Sequence, residues 1–175
     1  MKFFPAPLLS ALAVLTLACA SVRAAPPPPP PPTNVTVHYT DPKLFTETKR
    51  SAFAHPIDAN GYLNPLKDYI AQRASRILAP GQRLDITVTD VDLAGEYEPW
   101  HGPNLSNIRI IKSRYPPRID LDFTLYGADG KVLRQGSRIL RDMSFMDHAG
   151  ISDNDSLRYE RPMIDRWLRQ GPDKL

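Results

Sequence analysis

The chain has 175 residues and 22 Lys and Arg against 19 Asp and Glu, a formal net charge of +3. Part of that basicity sits in the N-terminal leader: without Lys2 and Arg23 the count is 20 basic against 19 acidic residues, or +1. A near-neutral domain lacks the positive field that general nucleic-acid binding needs, so nucleic acid is not an expected partner.

The first 24 residues, MKFFPAPLLSALAVLTLACASVRA, have the layout of a secretory signal peptide: Lys2, an apolar run from Pro7 to Ala18, then small residues. The run is too short to span a bilayer stably. Val22-Arg23-Ala24 places the cut before Ala25, with Ala18-Cys19-Ala20 as a second site. Cys19, the single cysteine, raises a rival, a lipoprotein signal cut just before it and acylated there. Such signals carry Leu three residues earlier, where this chain has Thr16. The expectation is therefore an exported, periplasmic protein of a Gram-negative bacterium, lipid-anchored and membrane-associated only if Cys19 is acylated. Loss of Cys19 with the leader leaves no thiol for disulfides, thiol catalysis or Cys-ligated zinc. Residues 25–33 follow as a proline-rich arm. Its seven prolines, Pro26 to Pro32, form a polyproline II rod rising about 3.1 Å per residue, roughly 22 Å in all. Residues 34–175 are the size of one ordinary domain.

Within that domain, NVTVHYT (34–40) alternates as a half-buried strand. Residues 41–61 read as a loop broken by Pro42, Pro56 and Asn60-Gly61. A helix is predicted over 64–78, with Leu66, Ile70, Ala74 and Ile77 on one face, Asn64 as its cap and Pro65 at its first position. RLDITVTDVDLAG is the next strand. Leu84, Ile86 and Val88 share a face, but the apolar residues then resume at Val91 and Leu93. A one-residue slip of this kind predicts a β-bulge at Asp90, with Gly95 turning the chain away. Residues 96–117 form a long excursion in which IRII is a short extra strand. RIDLDFTLY (118–126), the turn GADG and KVLRQGSRILRDMSFM form a hairpin. Its outer face is expected to pair Asp85, Asp120 and Asp122 with Arg134, Arg138 and Arg141. The tail closes as a helix with Leu157, Ile164, Trp167 and Leu168 buried, starting just before Pro162 or kinked there.

Four segments, TDVDLAGEYEPW, IRIIKSRYPPRIDLDFTLYGADGKVLRQG, ILRDMSF and RYERPMIDRW, together resemble the bacterial domain-of-unknown-function family 3016. The resemblance spans most of residues 34–168. It implies a small exported protein of a Gram-negative bacterium and brings no activity, cofactor or catalytic residue.

TDVDLAGEYEPW puts Asp90, Asp92, Glu96 and Glu98 into twelve residues. Calcium needs six to eight oxygens, and this D-x-D runs on into Leu93 and Ala94 rather than further ligands. His38, His55, His101 and His148 show no zinc spacing. There is no G-x-S-x-G elbow and no Gly-rich phosphate loop. No cofactor, metal or catalytic residue is therefore assigned. The excursion does carry a recognition-like composition in Trp100, His101, Arg109, Lys112, Arg114 and Tyr115. These residues are the candidate contact site for an envelope component or an anionic ligand, against the alternative that Trp100 folds back to cap the sheet.

The expected fold is α+β: a four-stranded mixed or antiparallel sheet, a main helix over about 64–78 on one face, and a C-terminal helix. The first two strands are parallel if adjacent. Two functions stay open, a non-catalytic envelope-accessory binding protein and a small periplasmic hydrolase. A pocket joining His101 to Asp90 or Asp92 would favour hydrolysis. A flat aromatic and basic patch would favour binding.

Overall fold

A computed structural model describes residues 34–54, 60–102, 106, 108–148 and 155–175. The predicted leader and proline arm lie outside the described residues. Four strands form one mixed sheet: β1 (Val35–Tyr39), β2 (Arg83–Asp92), β5 (Arg118–Tyr126) and β6 (Val132–Arg141), in that spatial order. The excursion adds a two-stranded ribbon of β3 (Glu96–Tyr97) and β4 (Arg109–Ile110). Among the described residues three α-helices complete the domain, α1 (Thr46–Ala54), α2 (Leu63–Ser75) and α3 (Glu160–Leu168). This is the expected α+β fold, with β1 parallel to β2 and the other neighbours antiparallel.

Period-two alternation puts Leu84, Ile86 and Val88 of β2 and Ile119, Leu121, Phe123 and Leu125 of β5 on one face. Leu66, Ile70 and Ala74 of α2 and Met163, Ile164, Trp167 and Leu168 of α3 join them in a single core. Trp167 meets Phe123 edge-on at 6.4 Å. The terminal Leu175 is buried there too, and its carbonyl accepts from Arg138.

The bulge stands where the apolar phase slips. Val88 pairs with Leu121 and Asp90 with Asp120, so Thr89 is the extra residue. With the phase reset, Val91 returns to the core and Asp90 points away from it. Gly95 then turns the chain at φ +92°, its amide donating to Tyr115 O at 3.0 Å. A Cβ at Gly95 would stand 2.6 Å from Ile111 Cδ1, so this turn requires glycine.

Three expectations are corrected. Residues 46–54 are helix α1, not loop, because the buried face of this helix is polar (Glu47, Thr48, Ser51) and hydrophobic periodicity does not register it. Helix α2 begins one residue early and ends at Ser75. Asn64 lies inside its first turn and no side chain caps it, so Pro65 occupies a position where its missing N–H costs nothing. Arg134 and Arg138 do not lie on the outer face. A register shift between Leu125 and Tyr126 sets them opposite Leu125 and Leu121, on the core side, where Arg134 donates to Asp173 O and Arg138 to Leu175 O. The outer-face acids find nearer partners: Asp85 bonds Arg83, Asp120 bonds Arg118 and Asp122 bonds Ser137. Of the two alternatives for the closing helix the structure shows the first: α3 starts at Glu160, just before Pro162, which falls in the first turn.

Asp90 has a definite task in this fold. Its Oδ1 accepts from the Thr46 amide at 2.7 Å and its Oδ2 from Thr46 Oγ1 at 2.8 Å, so a β2 side chain caps α1 across 44 residues. Asp90→Ala is expected to cost about 1–2 kcal/mol, the usual range for a lost helix cap. Asp90→Asn, which keeps an acceptor, is expected to cost less. Urea denaturation of both variants checks this, and equal costs would remove the capping role.

Candidate functional site

The other carboxylates of the acidic stretch are also engaged by the fold. Arg50 Nη1 of α1 stands 2.7 Å from Asp92 and 3.0 Å from Glu96. Burial is the main influence on Asp92. It outweighs the pull of Arg50, and Glu47, Glu96 and Asp90 add to it, pushing the carboxyl up to about 6.

Glu98 has no exposed surface and gathers the basic end of the excursion. Lys112 Nζ lies 2.6 Å from its Oε2, while Arg114 Nη2 at 2.6 Å and Tyr115 OH at 2.7 Å reach its Oε1. These bonds, Lys112 first and then Tyr115, hold Glu98 down at about 2 against the opposing effect of burial. The cover is a single layer of side chains, with that of Arg114 59% exposed, so the cluster belongs to the surface rather than the core.

Arg114 and Tyr115 also wall a small polar pocket. Its cavity is about 130 Å³, and Arg50, Asp92, Leu93, Gly95, Pro116 and Arg141 complete the lining. Arginines from three separate segments, α1, the end of the excursion and the end of β6, thus line one cavity with Asp92, which Arg50 contacts directly.

A larger cleft of about 290 Å³ lies on the other side of Leu93, between the ribbon and the start of α3. Arg109 stands in its wall, held by Glu47 Oε1 and by Ala94 O at 3.4 Å, with its guanidinium 4.7 Å above the Tyr97 ring. The Glu47 side chain is only 2% exposed, and its second oxygen accepts from the Leu93 amide at 3.1 Å. Burial works against the charge on Arg109, but Glu47 outweighs it and holds the guanidinium above its ordinary value. Glu160 also lines this cleft.

The candidate contact residues therefore divide. Trp100 is 66% exposed on a 3-10 turn, Pro99–His101, immediately after Glu98, so it does not cap the sheet. The His101 side chain lies outside the described residues. Arg114 and Tyr115 line the three-arginine pocket, whereas Arg109 belongs to the other cleft. The sequence reading missed Arg50, Arg141, Glu47 and Glu160. Arg50 and Glu47 were hidden with the unrecognised α1. Arg141 read as a cross-strand partner, and Glu160 carried no reading of its own.

Among the described residues no group of three or more His, Cys, Asp or Glu could hold a metal ion, and no helix is long and apolar enough to cross a membrane. Neither a curated protein nor a solved structure matches the chain. Residues 33–170, which include the whole sheet, α1 to α3 and both cavities, match the family described as "Protein of unknown function (DUF3016)", and the chain belongs to that family.

Proposed function

We propose that this is a non-catalytic, envelope-associated binding protein that recognises an anionic group through the Arg50, Arg114 and Arg141 pocket. The supporting observation is the presence of three arginines and Tyr115 in the lining of one polar cavity about the size of a phosphate or carboxylate group. Arg114 lies 4.8 Å over that ring, which fixes the guanidinium plane. The reading of residues 1–24 as an export leader supports a periplasmic location for the domain, or a membrane one if Cys19 carries lipid. The geometry favours binding over hydrolysis, because Asp90 is taken by Thr46 and Asp92 by Arg50, leaving neither poised as a base.

In this reading Trp100, exposed on the turn that follows Glu98, supplies the apolar area of the contact surface. Trp100→Ala is expected to change folding stability by less than about 0.5 kcal/mol, as an exposed side chain does. The same change is expected to weaken partner binding by about 2 kcal/mol or more, as at an aromatic hot spot. The test is retention of envelope components on immobilised mature protein, compared with Trp100→Ala, Arg114→Ala and Arg141→Ala, with denaturant melts alongside. Retention should fall in all three variants and weaken with added salt. Full retention by Arg114→Ala and Arg141→Ala would overturn the anion reading.

A further inference from the structure

Beyond β6 the chain runs Asp142-Met143-Ser144-Phe145-Met146-Asp147-His148, with residues 143–147 in consecutive turns. Two anchors fix this stretch to the domain. Phe145 is buried and meets the Tyr159 ring edge-on at 5.1 Å. Asp142 is buried too; it accepts from the Ser144 amide at 3.0 Å and takes the Arg166 guanidinium of α3 at 3.1 Å. On either side of Phe145 the two methionines turn outward, Met143 62% and Met146 49% exposed. His148 completes the group. Its Nδ1 stands 3.1 Å from Asp142 Oδ2, and Arg166 Nη2, which bonds the same oxygen, lies 2.9 Å from that ring nitrogen. The buried carboxylate favours the tautomer that carries its proton on Nδ1 and donates it to Asp142, which leaves the Nε2 lone pair for a ligand. A carboxylate behind an imidazole is the arrangement that orients metal-bound histidines.

We propose that Met143, Met146 and His148 form a site for a soft monovalent cation, Cu(I), held by the two thioether sulfurs and His148 Nε2. Calcium and magnesium take oxygen donors, and zinc takes nitrogen, oxygen or thiolate, so two thioethers select against all three. Thioether sulfur with imidazole suits copper(I). Both methionines and the histidine fall within one short run of turns, and three rotatable bonds let each methionine adapt its sulfur to a shared ion. The turn is held from behind by Phe145 and Asp142, so its donors need little ordering when the ion arrives. The site is invisible to patterns of Asp, Glu, Cys and His, because two of its three donors are methionines. It shares no residue with the three-arginine pocket, so it stands apart from the anion contact.

The test is NMR of the mature protein labelled at its methionine methyl groups and titrated with Ag(I), a redox-inert stand-in for Cu(I). With residues 1–24 removed the chain has no cysteine and only Met143, Met146 and Met163, so no thiol competes and the buried Met163 serves as an internal control. The Met143 and Met146 methyl signals should shift together and saturate at one equivalent, while Met163 stays in place. Cu(I) supplied under ascorbate should give the same two shifts, and Zn(II) should give neither. Met143→Leu and Met146→Leu, which keep an exposed apolar side chain, and His148→Gln should each weaken Ag(I) binding by roughly tenfold or more, at least the loss seen when a partner behind a metal ligand is removed. The two shifts are read on the unmodified protein, so the test survives a variant that fails to fold. No shift of Met143 and Met146 with Ag(I), equal movement of Met163, or unchanged Ag(I) affinity in the two leucine variants would each overturn the proposal.

Discussion

Replacing Arg109 with Met should lower the free energy of unfolding by about 3–5 kcal/mol, a large share of the 5–15 kcal/mol that holds an ordinary domain together. The reason is the partner left behind. Glu47 is all but completely buried, and among the described residues Arg109 is its only salt-bridge partner and the Leu93 amide the one other donor to its carboxylate. Methionine fills much the same volume as the arginine stem but supplies no donor, so the carboxylate stays desolvated and uncompensated. The same substitution frees Ala94 O and removes the cation above the Tyr97 ring, which loosens the ribbon from α1. Glu47→Gln/Arg109→Met should be less damaging than Arg109→Met alone, because no charge is then stranded. Denaturant melts of wild type, both single variants and the double variant measure this coupling. A loss below about 1 kcal/mol for Arg109→Met, or strict additivity in the double variant, would mean that the pair does not carry the junction.

What the sequence shows and hides follows from how each element is buried. Strands β2 and β5 bury one face of alternating aliphatics, so both their existence and the bulge at Thr89 can be read from the phase of Val88, Val91 and Leu93. Helix α1 buries Glu47, Thr48 and Ser51, which bond to Arg109, Tyr62 and the helix's own Glu47 carbonyl. No apolar stripe marks a helix held in place by polar contacts. The same physics blurs the site. Trp100, Arg109, Arg114 and Tyr115 resemble a contact surface by composition, and composition does not reveal which charges are used internally. The acids that engage Arg114 and Arg109 lie 16 and 62 residues upstream, and the amide that holds Glu160 lies 66 residues away. Pairings across such distances leave no local pattern. The three-arginine pocket is hidden for the same reason, since Arg50, Arg114 and Arg141 meet only when β6 and α1 are brought together at the end of the sheet.

The domain should be most stable near pH 4–5 and should lose about 3 kcal/mol as pH rises to 7, with Glu160 as the main source. In the unfolded chain this carboxyl ionises around its ordinary 4.5, whereas in the fold burial delays ionisation to about 7. Between those values the folded state holds a proton that the unfolded state has released, so its advantage shrinks as pH rises. The contribution is complete below 4.5, declines through the window and is constant above 7. Asp92 acts in the same direction over its own window, from 3.8 to about 6, with a smaller share because Arg50 screens it. Two acids oppose them at lower pH. Glu98, held at about 2 by Lys112, Tyr115 and Arg114, and Asp142, held low despite burial by Arg166, His148 and the Ser144 amide, are more acidic folded than unfolded. Their contributions are present above their ordinary values and are lost as pH falls, which bounds the maximum from the acid side. Urea melts of wild type and Glu160→Gln from pH 3 to 8 separate these terms. The variant should keep the rise at low pH, lose most of the decline between 4.5 and 7, and overtake wild type at neutral pH. An unchanged decline in Glu160→Gln would show that Glu160 ionises in the fold much as it does in the unfolded chain.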